Sequence, residues 1–354
     1  MRANRFWLVS LSFCSLATLN CIGVRIIYSD KEIISFAERF TSSVESIELL
    51  GQSHNTVYKI TCRNSFILRV TPLCHRSRNE IVSELDFLIH LHENGATVSS
   101  PLLSLTGDLV IGFQSDSGDG HISAFTIAEG LDWRTRDNDH ISLEHIGRSH
   151  GKIHKESRNY DPVNFPKRRQ YFESQHLKKA AQVFRKANPK LVEYFESYLA
   201  DLSVMTKSPL NYGLTHGDFL FSNYNITSDN KVTVFDFDEC EYSWYINDIA
   251  ICVYYYLLGG DPTELNKKSE EAEQMVCSLM KGYLAEYPLP LEELEKMNLL
   301  FSMRDYILLS TIYERDHVYR KWEKDFIGGA VDRITNKRHF IELNMRSISR
   351  MLKG

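Results

Sequence analysis

Short runs of alternating hydrophobic and polar residues fill the first third of the chain, whereas hydrophobic residues recur at helical spacing over most of the rest. Runs rich in β-branched and aromatic residues, such as Thr56-Val-Tyr-Lys-Ile-Thr61, are separated by turn residues and predict strands. A helix is indicated where Ile81, Leu85, Leu88 and Leu91 recur on one side. The first third is therefore predicted as a helix, a set of strands, a second helix and the two arms of a hairpin, over residues 31–46, 47–72, 78–94, 102–113 and 121–127.

Beyond Gly130 the spacing of hydrophobic residues is mainly helical, with one short β-hairpin near residues 222–237. Helices are predicted over residues 140–156, 168–185, 189–206, 245–258, 263–285, 291–322 and 333–352. No internal repeat or low-complexity linker interrupts the pattern. A small antiparallel β-rich part followed by a larger, mainly helical part predicts an α+β fold with two lobes.

The composition is that of an ordinary globular protein, and its charge narrows the possible partners. The 354 residues, of which 43% are hydrophobic and 25% charged, are enough for two lobes with a sizeable core. Acidic residues outnumber basic ones by 46 to 41, which gives a formal net charge of -5. Because nucleic-acid binders usually carry a basic surplus, we expect no nucleic-acid partner. The sequence leaves the oligomeric state open.

Cysteine usage favours a reduced, cytoplasmic protein. The seven cysteines include no pair with CxxC spacing, so they indicate neither a disulfide framework nor a zinc site. His150 and His154 lie four residues apart, a spacing that binds zinc on some helices, but no third ligand accompanies them. We therefore interpret both histidines as helix-packing residues.

The N-terminal residues 1–30 are predicted to be an extension outside the folded lobes. Arg2 and Arg5 precede a short apolar run over residues 6–17, as in a signal peptide. The run is too short and too rich in serine to predict a membrane span, so no membrane partner is expected. We interpret the segment as a non-functional extension or a mis-assigned start, and export through residues 1–23 is the alternative.

Two motifs carry the chemistry of this chain. The first is Leu214-Thr-His-Gly-Asp-Phe-Leu-Phe-Ser-Asn-Tyr-Asn225, and the second is Val232-Thr-Val-Phe-Asp-Phe-Asp-Glu239. Together they place Asp218, Asn223 and Asp236 around one short hairpin. Metal-dependent phosphoryl transfer needs one carboxylate to orient a hydroxyl, together with an amide and a second carboxylate that hold magnesium against the ATP phosphates.

The His-Gly-Asp-x-x-x-x-Asn spacing at residues 216–223 resembles the catalytic loop of the aminoglycoside phosphotransferase family. That protein-kinase-like group includes homoserine and choline kinases. The resemblance covers about residues 31–320 and is most specific over 212–250. It implies a two-lobed, protein-kinase-like fold with ATP between the lobes, and the element order agrees with such a fold. The corresponding lobes would be residues 31–127, which cover the nucleotide, and residues 128–354, which carry catalysis and acceptor binding.

The resemblance also implies a role for each residue of the two motifs. Asp218 is the expected catalytic base, while Asn223 and Asp236 are the expected Mg²⁺ ligands. His216 is expected to pack beneath the loop. Asp248 matches the family aspartate that ties the following helix to the loop. Asp238 replaces the glycine of Asp-Phe-Gly in protein kinases, and it is expected either to support the metal site or cap a helix, or to touch the metal.

In the small lobe, Arg69 matches the strand position that holds the phosphate-contacting lysine of kinases. Glu84 is the expected partner of that cation on the following helix, and Glu80 is the alternative one turn away. The loop at residues 51–58 would cover the phosphates through its backbone and the Ser53 hydroxyl. By position, the backbone groups of Ile127 and Ala128 are expected to pair with adenine.

These assignments predict an ATP- and Mg²⁺-dependent phosphotransferase that acts on an alcohol group of a small molecule. An amino alcohol, an aminoglycoside and a sugar-like molecule all remain open as acceptors. Arg304 and Tyr313, on a late helix, are candidates to face the cleft. The alternatives are a protein Ser/Thr kinase of the same fold and a nucleotide-binding pseudokinase scaffold. The complete set of Asp218, Asn223 and Asp236 argues against the scaffold, whereas an arginine in place of lysine at position 69 favours it.

Overall fold

A computed structural model describes residues 27–132, 140–162, 175–258, 265–315 and 318–353 of the chain. Within these ranges a lobe built on an antiparallel sheet is followed by a larger and mainly helical lobe. The predicted α+β architecture, with the β-rich lobe first, is therefore confirmed. Among the helices that the structure describes, none combines the length and the apolar content that crossing a lipid bilayer requires.

The small lobe is a sheet whose strands run antiparallel to their neighbours. Its elements are α1 (Asp30–Ala37), β1 (Ser46–Gln52), β2 (Thr56–Thr61), β3 (Phe66–Pro72), α2 (Arg78–Glu93), β4 (Pro101–Leu102), β5 (Ile111–Phe113) and β6 (Gly120–Phe125). The strand order is β1-β2-β3-β6-β4, and β5 also pairs with β6. Because β3 lies inside the sheet, almost all of its side chains are buried. The core of this sheet includes Ile33 and Phe36 of α1.

Helix α2 links the two lobes. It begins with a capping box, in which Ser77 Oγ accepts from Glu80 N and Glu80 Oε2 accepts from Ser77 N at 3.0 Å. Its apolar face, which includes Leu85 and Leu88, belongs to the hydrophobic core of the larger lobe. A residue of α2 that contacts the small sheet is therefore held by both lobes.

The larger lobe is mainly helical, and short strands frame its motif region. Its elements are β7 (Leu131–Asp132), α3 (His140–Asn159), α4 (Gln175–Ala187), α5 (Lys190–Ser203), β8 (Tyr212–Thr215), β9 (Tyr224–Ile226), β10 (Val232–Val234), β11 (Glu241–Trp244), α6 (Tyr245–Leu258), α7 (Leu265–Leu284), a 3-10 helix (Leu291–Lys296), α8 (Met297–Glu314), α9 (Lys321–Thr335) and α10 (Met345–Lys353). The hairpin predicted near 222–237 is present as β9 and β10.

Helices α3 and α7 pack with their backbones in close contact, because glycines lie at the crossing. A Cβ atom added to Gly147 would lie 1.8 Å from the Leu279 carbonyl oxygen, and one added to Gly282 would lie 1.8 Å from the Glu144 carbonyl oxygen. Neither position has room for a side chain. This pair of helices supports the loop that carries the His-Gly-Asp motif, since α3 carries His154 and α7 carries Tyr283.

One predicted helix end in this part of the chain is wrong. Helix α1 ends at Ala37, well before residue 46, where a Thr-Ser-Ser stretch follows and Thr41 Oγ1 bonds the Ser43 carbonyl at 3.2 Å. Hydroxyl side chains that bond nearby backbone groups compete with helical hydrogen bonds. Helix α4 begins at Gln175, and the predicted start at 168 lies outside the described residues.

The helices predicted over 291–322 and 333–352 are each wrong in extent. The first is a 3-10 helix followed by α8, which ends where Arg315 adopts an extended backbone with ψ 123°. A new helix, α9, then starts where Glu323 Oε2 accepts from Arg320 N at 2.7 Å. It ends before Lys337, whose φ of 51° is left-handed, and α10 begins only at Met345.

The expectation that the cysteines are reduced holds for part of the described chain. Cys62, Cys240, Cys252 and Cys277 form no disulfide, and all four are buried. For Cys74 the expectation is wrong, because this residue is disulfide-bonded.

The close α3–α7 contact predicts that one methyl group added at Gly282 destabilises the protein. Replacing Gly282 with Ala should lower the free energy of unfolding by about 1–3 kcal/mol, because the added carbon overlaps a backbone oxygen that cannot rotate away. Gly328, inside α9, is a matched control with open space around its Cβ position. Gly328→Ala should raise stability by about 0.5–1 kcal/mol through helix propensity. Urea unfolding of both variants tests the pair, and equal effects would contradict the proposed close contact.

Candidate active site

Two nested hairpins hold the motif residues. Strands β8 and β11 pair with Thr215 opposite Glu241, which closes the base of the motif region. Inside it, Phe235 N donates to the Asn223 carbonyl oxygen at 2.9 Å, directly beyond the β9–β10 pairing. Asp236 follows and adopts a left-handed backbone with φ 66°. Asn223 and Asp236 are therefore brought together by backbone hydrogen bonds, as the sequence predicts.

Asp218 and Asn223 contact each other directly. The Asn223 amide nitrogen donates to the Asp218 carbonyl oxygen at 2.8 Å and approaches its carboxylate Oδ2 at 3.3 Å. Both side chains are buried, and Ser222 Oγ approaches Asn223 Oδ1 at 3.2 Å. Because the amide nitrogen is engaged by Asp218, the orientation of the Asn223 oxygen is set.

Asp248 anchors the loop that carries Asp218. Its carboxylate accepts from His216 N at 2.8 Å and from Gly217 N at 3.0 Å, and His154 Nε2 lies 3.1 Å away on α3. Burial by itself would raise the pKa of Asp248, but the hydrogen bond from His154 and the neighbouring histidines lower it to about 2. The carboxylate is therefore ionised at neutral pH, where it is a strong acceptor for both loop amides.

His216 packs beneath the loop as a neutral side chain. Its Nε2 lies 3.0 Å from the Phe235 carbonyl oxygen, so this nitrogen carries the hydrogen. Its Nδ1 accepts from Asp218 N at 3.2 Å, which requires a bare nitrogen. Burial lowers the pKa of His216, in agreement with this tautomer. The ring thus connects the loop before Asp218 to the strand end before Asp236.

Gly217 is required by geometry at this point of the loop. Its φ of +80° is left-handed, and a Cβ atom would lie 2.2 Å from the Glu239 carbonyl oxygen. The loop therefore presses against the segment that follows Asp236. Only a residue without a side chain permits this approach.

Arg69 and Glu84 form the ion pair that the sequence analysis favours over Glu80. Arg69 Nη1 and Nη2 donate to the two carboxylate oxygens of Glu84, each at 2.8 Å, and both side chains are buried. Burial by itself would lower the pKa of Arg69, but Glu84 raises it above its ordinary value, and Asp238 and Asp236 act in the same direction. Arg69 is buried on β3, which lies inside the sheet, so it is not an exposed residue of an edge strand.

Asp238 is buried against His75 and Arg76, two side chains that sequence analysis missed. His75 Nε2 lies 2.6 Å from its Oδ2, and Arg76 Nε donates to its Oδ1 at 3.3 Å. Arg76 Nη2 also donates to Glu239 Oε1 at 2.7 Å. Of the roles considered for Asp238, the structure favours support of the site. The only sequence signal for His75 and Arg76 is their place just before the capping box of α2.

The remaining predicted nucleotide contacts lie in the β1–β2 turn and in the segment that follows β6. Ser53 is exposed in the β1–β2 turn, where its N–H donates to the Asn55 carbonyl at 2.9 Å. Ile127 is partly exposed after β6, and the Ala128 carbonyl accepts from Asn225 Nδ2 at 2.9 Å. That contact connects the segment between the lobes to the β9–β10 hairpin. The adenine-pairing role of Ile127 and Ala128 stays a prediction.

Tyr255 of helix α6 lies within electrostatic reach of Asp218 and is hydrogen-bonded to Arg304 of α8. Burial raises the pKa of Tyr255 to about 12; the hydrogen-bonding Arg304 guanidinium opposes this, and the Asp218 carboxylate adds to it. Arg304, a candidate from the sequence, therefore contacts a side chain that interacts with the catalytic candidate. Tyr313, the other candidate, instead packs against Phe184 of α4, with ring centroids 6.4 Å apart.

Comparisons with known proteins agree with this arrangement. The family model described as "Phosphotransferase enzyme family" matches residues 46–276. The chain is similar to amicoumacin kinase of Bacillus subtilis (strain 168), with 28% identity over 264 residues, which are 74% of this chain and 78% of that protein.

Two solved structures are similar in fold. Amicoumacin kinase hAmiN in complex with AMP-PNP, Ca²⁺ and Ami aligns with a TM-score of 0.80 and 23% identity, over 91% of this chain and 97% of that chain. A microcompartment-associated aminopropanol kinase aligns with a TM-score of 0.66 and 20% identity, over 87% and 98% of the two chains. The predicted protein-kinase-like fold is therefore confirmed.

The Arg69–Glu84 pair predicts a large difference between two glutamates one turn apart. Glu84→Ala should cost about 3–5 kcal/mol of stability, because it leaves a buried guanidinium without its carboxylate. Glu80→Ala removes only a capping interaction and should cost about 1 kcal/mol. Chemical denaturation of both variants, with Arg69→Ala and the Arg69→Ala/Glu84→Ala double variant, measures the coupling. Additive losses in the double variant would show that the two residues do not stabilise each other.

Proposed function

The chain belongs to the phosphotransferase enzyme family, and from that premise we propose that it transfers the γ-phosphoryl group of ATP, bound with Mg²⁺, to an alcohol group of a small molecule. The observation that carries this proposal is the direct contact of Asn223 with Asp218, with Asp236 placed beside Asn223 by the hydrogen bond from Phe235 N to the Asn223 carbonyl oxygen. Phosphoryl transfer depends mainly on positioning and on neutralising charge, so an enzyme of this kind needs such a rigid group more than it needs a covalent nucleophile.

Asp218 is proposed to orient the acceptor hydroxyl and to accept its proton as the bond to phosphorus forms. Its carboxylate is held by Asn223 Nδ2, and its loop is held by Asp248 and His216. These contacts restrict the carboxylate to one position. A base that is already oriented loses little entropy when the acceptor binds.

Asn223 and Asp236 fit a divalent cation by their chemistry. Both offer hard oxygen donors, and the contact of the Asn223 nitrogen with Asp218 leaves its oxygen as the atom for a cation. Within the described ranges no group of three or more His, Cys, Asp and Glu side chains is arranged to hold a metal. Two protein ligands are what a nucleotide-bound Mg²⁺ requires, since phosphate and water complete its shell. The cation would neutralise charge that develops on the phosphates.

Arg69 is proposed to contact the ATP phosphates from the small lobe, with Glu84 holding it in place. The pair lies within electrostatic reach of Asp236, so the cation of the small lobe and the metal ligand of the large lobe face one region. An arginine provides a planar fork in place of the point charge of a lysine. Ser53, Ile127 and Ala128 are proposed to complete the nucleotide site as predicted above.

The acceptor is proposed to bind on the side of Asp218 that faces α6 and α8, near Tyr255 and Arg304. Both of these side chains are close enough to Asp218 or to each other to interact electrostatically. The names of the similar proteins suggest an antibiotic or a short amino alcohol as the acceptor class. A coupled assay of ADP release over amicoumacin, aminopropanol, spectinomycin and simple sugars would identify it, with free water as the background acceptor.

Replacing the proposed base should separate catalysis from binding. Asp218→Asn keeps the shape of the side chain and should lower turnover by at least about a hundredfold while changing ATP affinity by less than about threefold. Asp229→Asn, in the exposed turn of the β9–β10 hairpin, is the matched control and should leave turnover unchanged. If Asp218→Asn retains most of the turnover, Asp218 is not the group that faces the acceptor.

Metal dependence tests the two proposed ligands. ATP should raise the melting temperature only when MgCl₂ is present, and this stabilisation should be lost in Asp236→Asn. Asparagine is the suitable replacement because it tolerates the left-handed backbone at this position, where φ is 66°. If ATP stabilises the protein equally with and without MgCl₂, and stabilises Asp236→Asn as it does the wild type, the result would favour a nucleotide-binding scaffold over an enzyme.

A further inference from the structure

Four charged or ring-bearing residues connect the lobes behind the proposed metal site. His75 and Arg76 lie between β3 and α2 in the small lobe, and Asp238 and Glu239 follow Asp236 in the large lobe. We call these four residues the inter-lobe clamp. The proposed function uses none of them directly.

The contacts within the clamp are short, and three of its four side chains are almost fully buried. His75 Nε2 lies 2.6 Å from Asp238 Oδ2, and Arg76 contacts Asp238 Oδ1 at 3.3 Å and the Asp238 carbonyl at 3.2 Å. Arg76 also reaches Glu239 at 2.7 Å. Buried charges persist only where partners compensate their desolvation, so separating the lobes here would expose uncompensated groups. The clamp therefore fixes the segment after Asp236 against the small lobe.

The clamp also contacts the turn proposed to cover the nucleotide. The His75 ring stacks on the ring of His54, with centroids 5.0 Å apart and planes 12° apart. His54 lies next to Ser53 in the β1–β2 turn and is half-buried. The turn is thus attached to the same ring that binds Asp238.

The clamp also contacts the loop that carries Asp218. A Cβ atom added to Gly217 would lie 2.2 Å from the carbonyl oxygen of Glu239. Gly217 directly precedes Asp218. If the Asp238–Glu239 segment shifted, it would therefore collide with the loop that carries the proposed base.

We propose that His75 is a positioning residue that joins two parts of the site: its ring holds the nucleotide-covering turn through His54, and its Nε2 holds Asp238 so that Asp236 faces the phosphates. The inference rests on the proposed function, because it concerns the nucleotide and metal sites of that reaction. Closure of the turn and placement of the metal ligand then depend on a single side chain.

Histidine suits both tasks because its flat ring stacks while one nitrogen donates. Two substitutions separate these properties. His75→Phe keeps a ring for His54 but has no hydrogen for Asp238. His75→Gln keeps an N–H donor near the place of Nε2 but has no ring.

The test uses the full chain with AMP-PNP and MgCl₂, so that no acceptor is needed. Calorimetry gives the nucleotide dissociation constant at saturating MgCl₂, and a titration at fixed AMP-PNP gives the half-saturating MgCl₂ concentration. His75→Phe should raise the half-saturating MgCl₂ concentration by about tenfold, since it removes a hydrogen bond to a charged group. His75→Gln should instead raise the nucleotide constant by about threefold to tenfold, the range expected for losing one aromatic pair.

The half-buried partner provides variants that do not disturb the buried clamp. His54→Ala should raise the nucleotide constant as His75→Gln does, and His54→Phe should restore it. The His54→Ala/His75→Gln double variant should be no worse than either single variant, because one stacking contact is lost only once. His92, exposed near the end of α2, supplies the control His92→Gln, which should change neither constant.

Each outcome of these measurements either supports or overturns the inference about His75. Additive effects of the two substitutions, or an unchanged MgCl₂ requirement in His75→Phe, would overturn the inference. So would variants whose melting temperatures fall while both constants stay the same, since His75 would then be only a packing residue. A wild-type chain that binds no AMP-PNP would overturn the proposed function as well, whereas normal wild-type binding with unaffected variants would overturn this inference alone.

Discussion

One buried carboxylate holds the proposed catalytic loop in place. Asp248, in the first turn of α6, accepts from two consecutive loop amides and is bonded by His154 of α3. Two backbone donors and a histidine keep the carboxylate charged inside the protein, where an unpaired carboxylate would instead be protonated. His154 is itself bonded through Nδ1 to the Tyr283 hydroxyl of α7 at 2.9 Å. The position of the loop thus depends on how three helices pack.

That packing explains why glycines far from the loop matter to it. Gly147 and Gly282 let α3 and α7 approach until backbone meets backbone. Helices held at that distance have little freedom to slide, so the histidine and tyrosine they carry are fixed relative to α6. The site is rigid because its supports are close-packed helices, and its own loop needs few contacts beyond them.

Buried ion pairs connect the small lobe to α2 and to the segment that follows Asp236. The two buried arginines of the small lobe, Arg69 and Arg76, each face carboxylates, one on α2 and the other on the segment after Asp236. Such pairs add little net stability, since desolvation offsets much of their attraction. They are specific in geometry, however, and they define how the small lobe sits over the metal ligands.

The sequence by itself predicted the candidate catalytic residues and determined the order of elements. Asp218, Asn223 and Asp236 are separated by few residues, so the turn and strand signals of one hairpin suffice to bring them together. The strands of the small lobe and the central helices were also predictable, because alternation and helical spacing are local properties. The breaks between α8, α9 and α10 were not, since they depend on single capping contacts such as that of Glu323 with Arg320 N.

Only the tertiary structure decided which supports surround that chemistry. His75 and Asp238 are 163 positions apart, and no periodicity or spacing relates residues at such a distance. The same holds for His154 with Asp248, and for the glycines that bring α3 against α7. Local pattern specifies what each segment is, whereas the partner of a buried charge is chosen by the packing of whole lobes. The candidate reactive groups could therefore be predicted from the sequence, whereas the contacts that orient them could not.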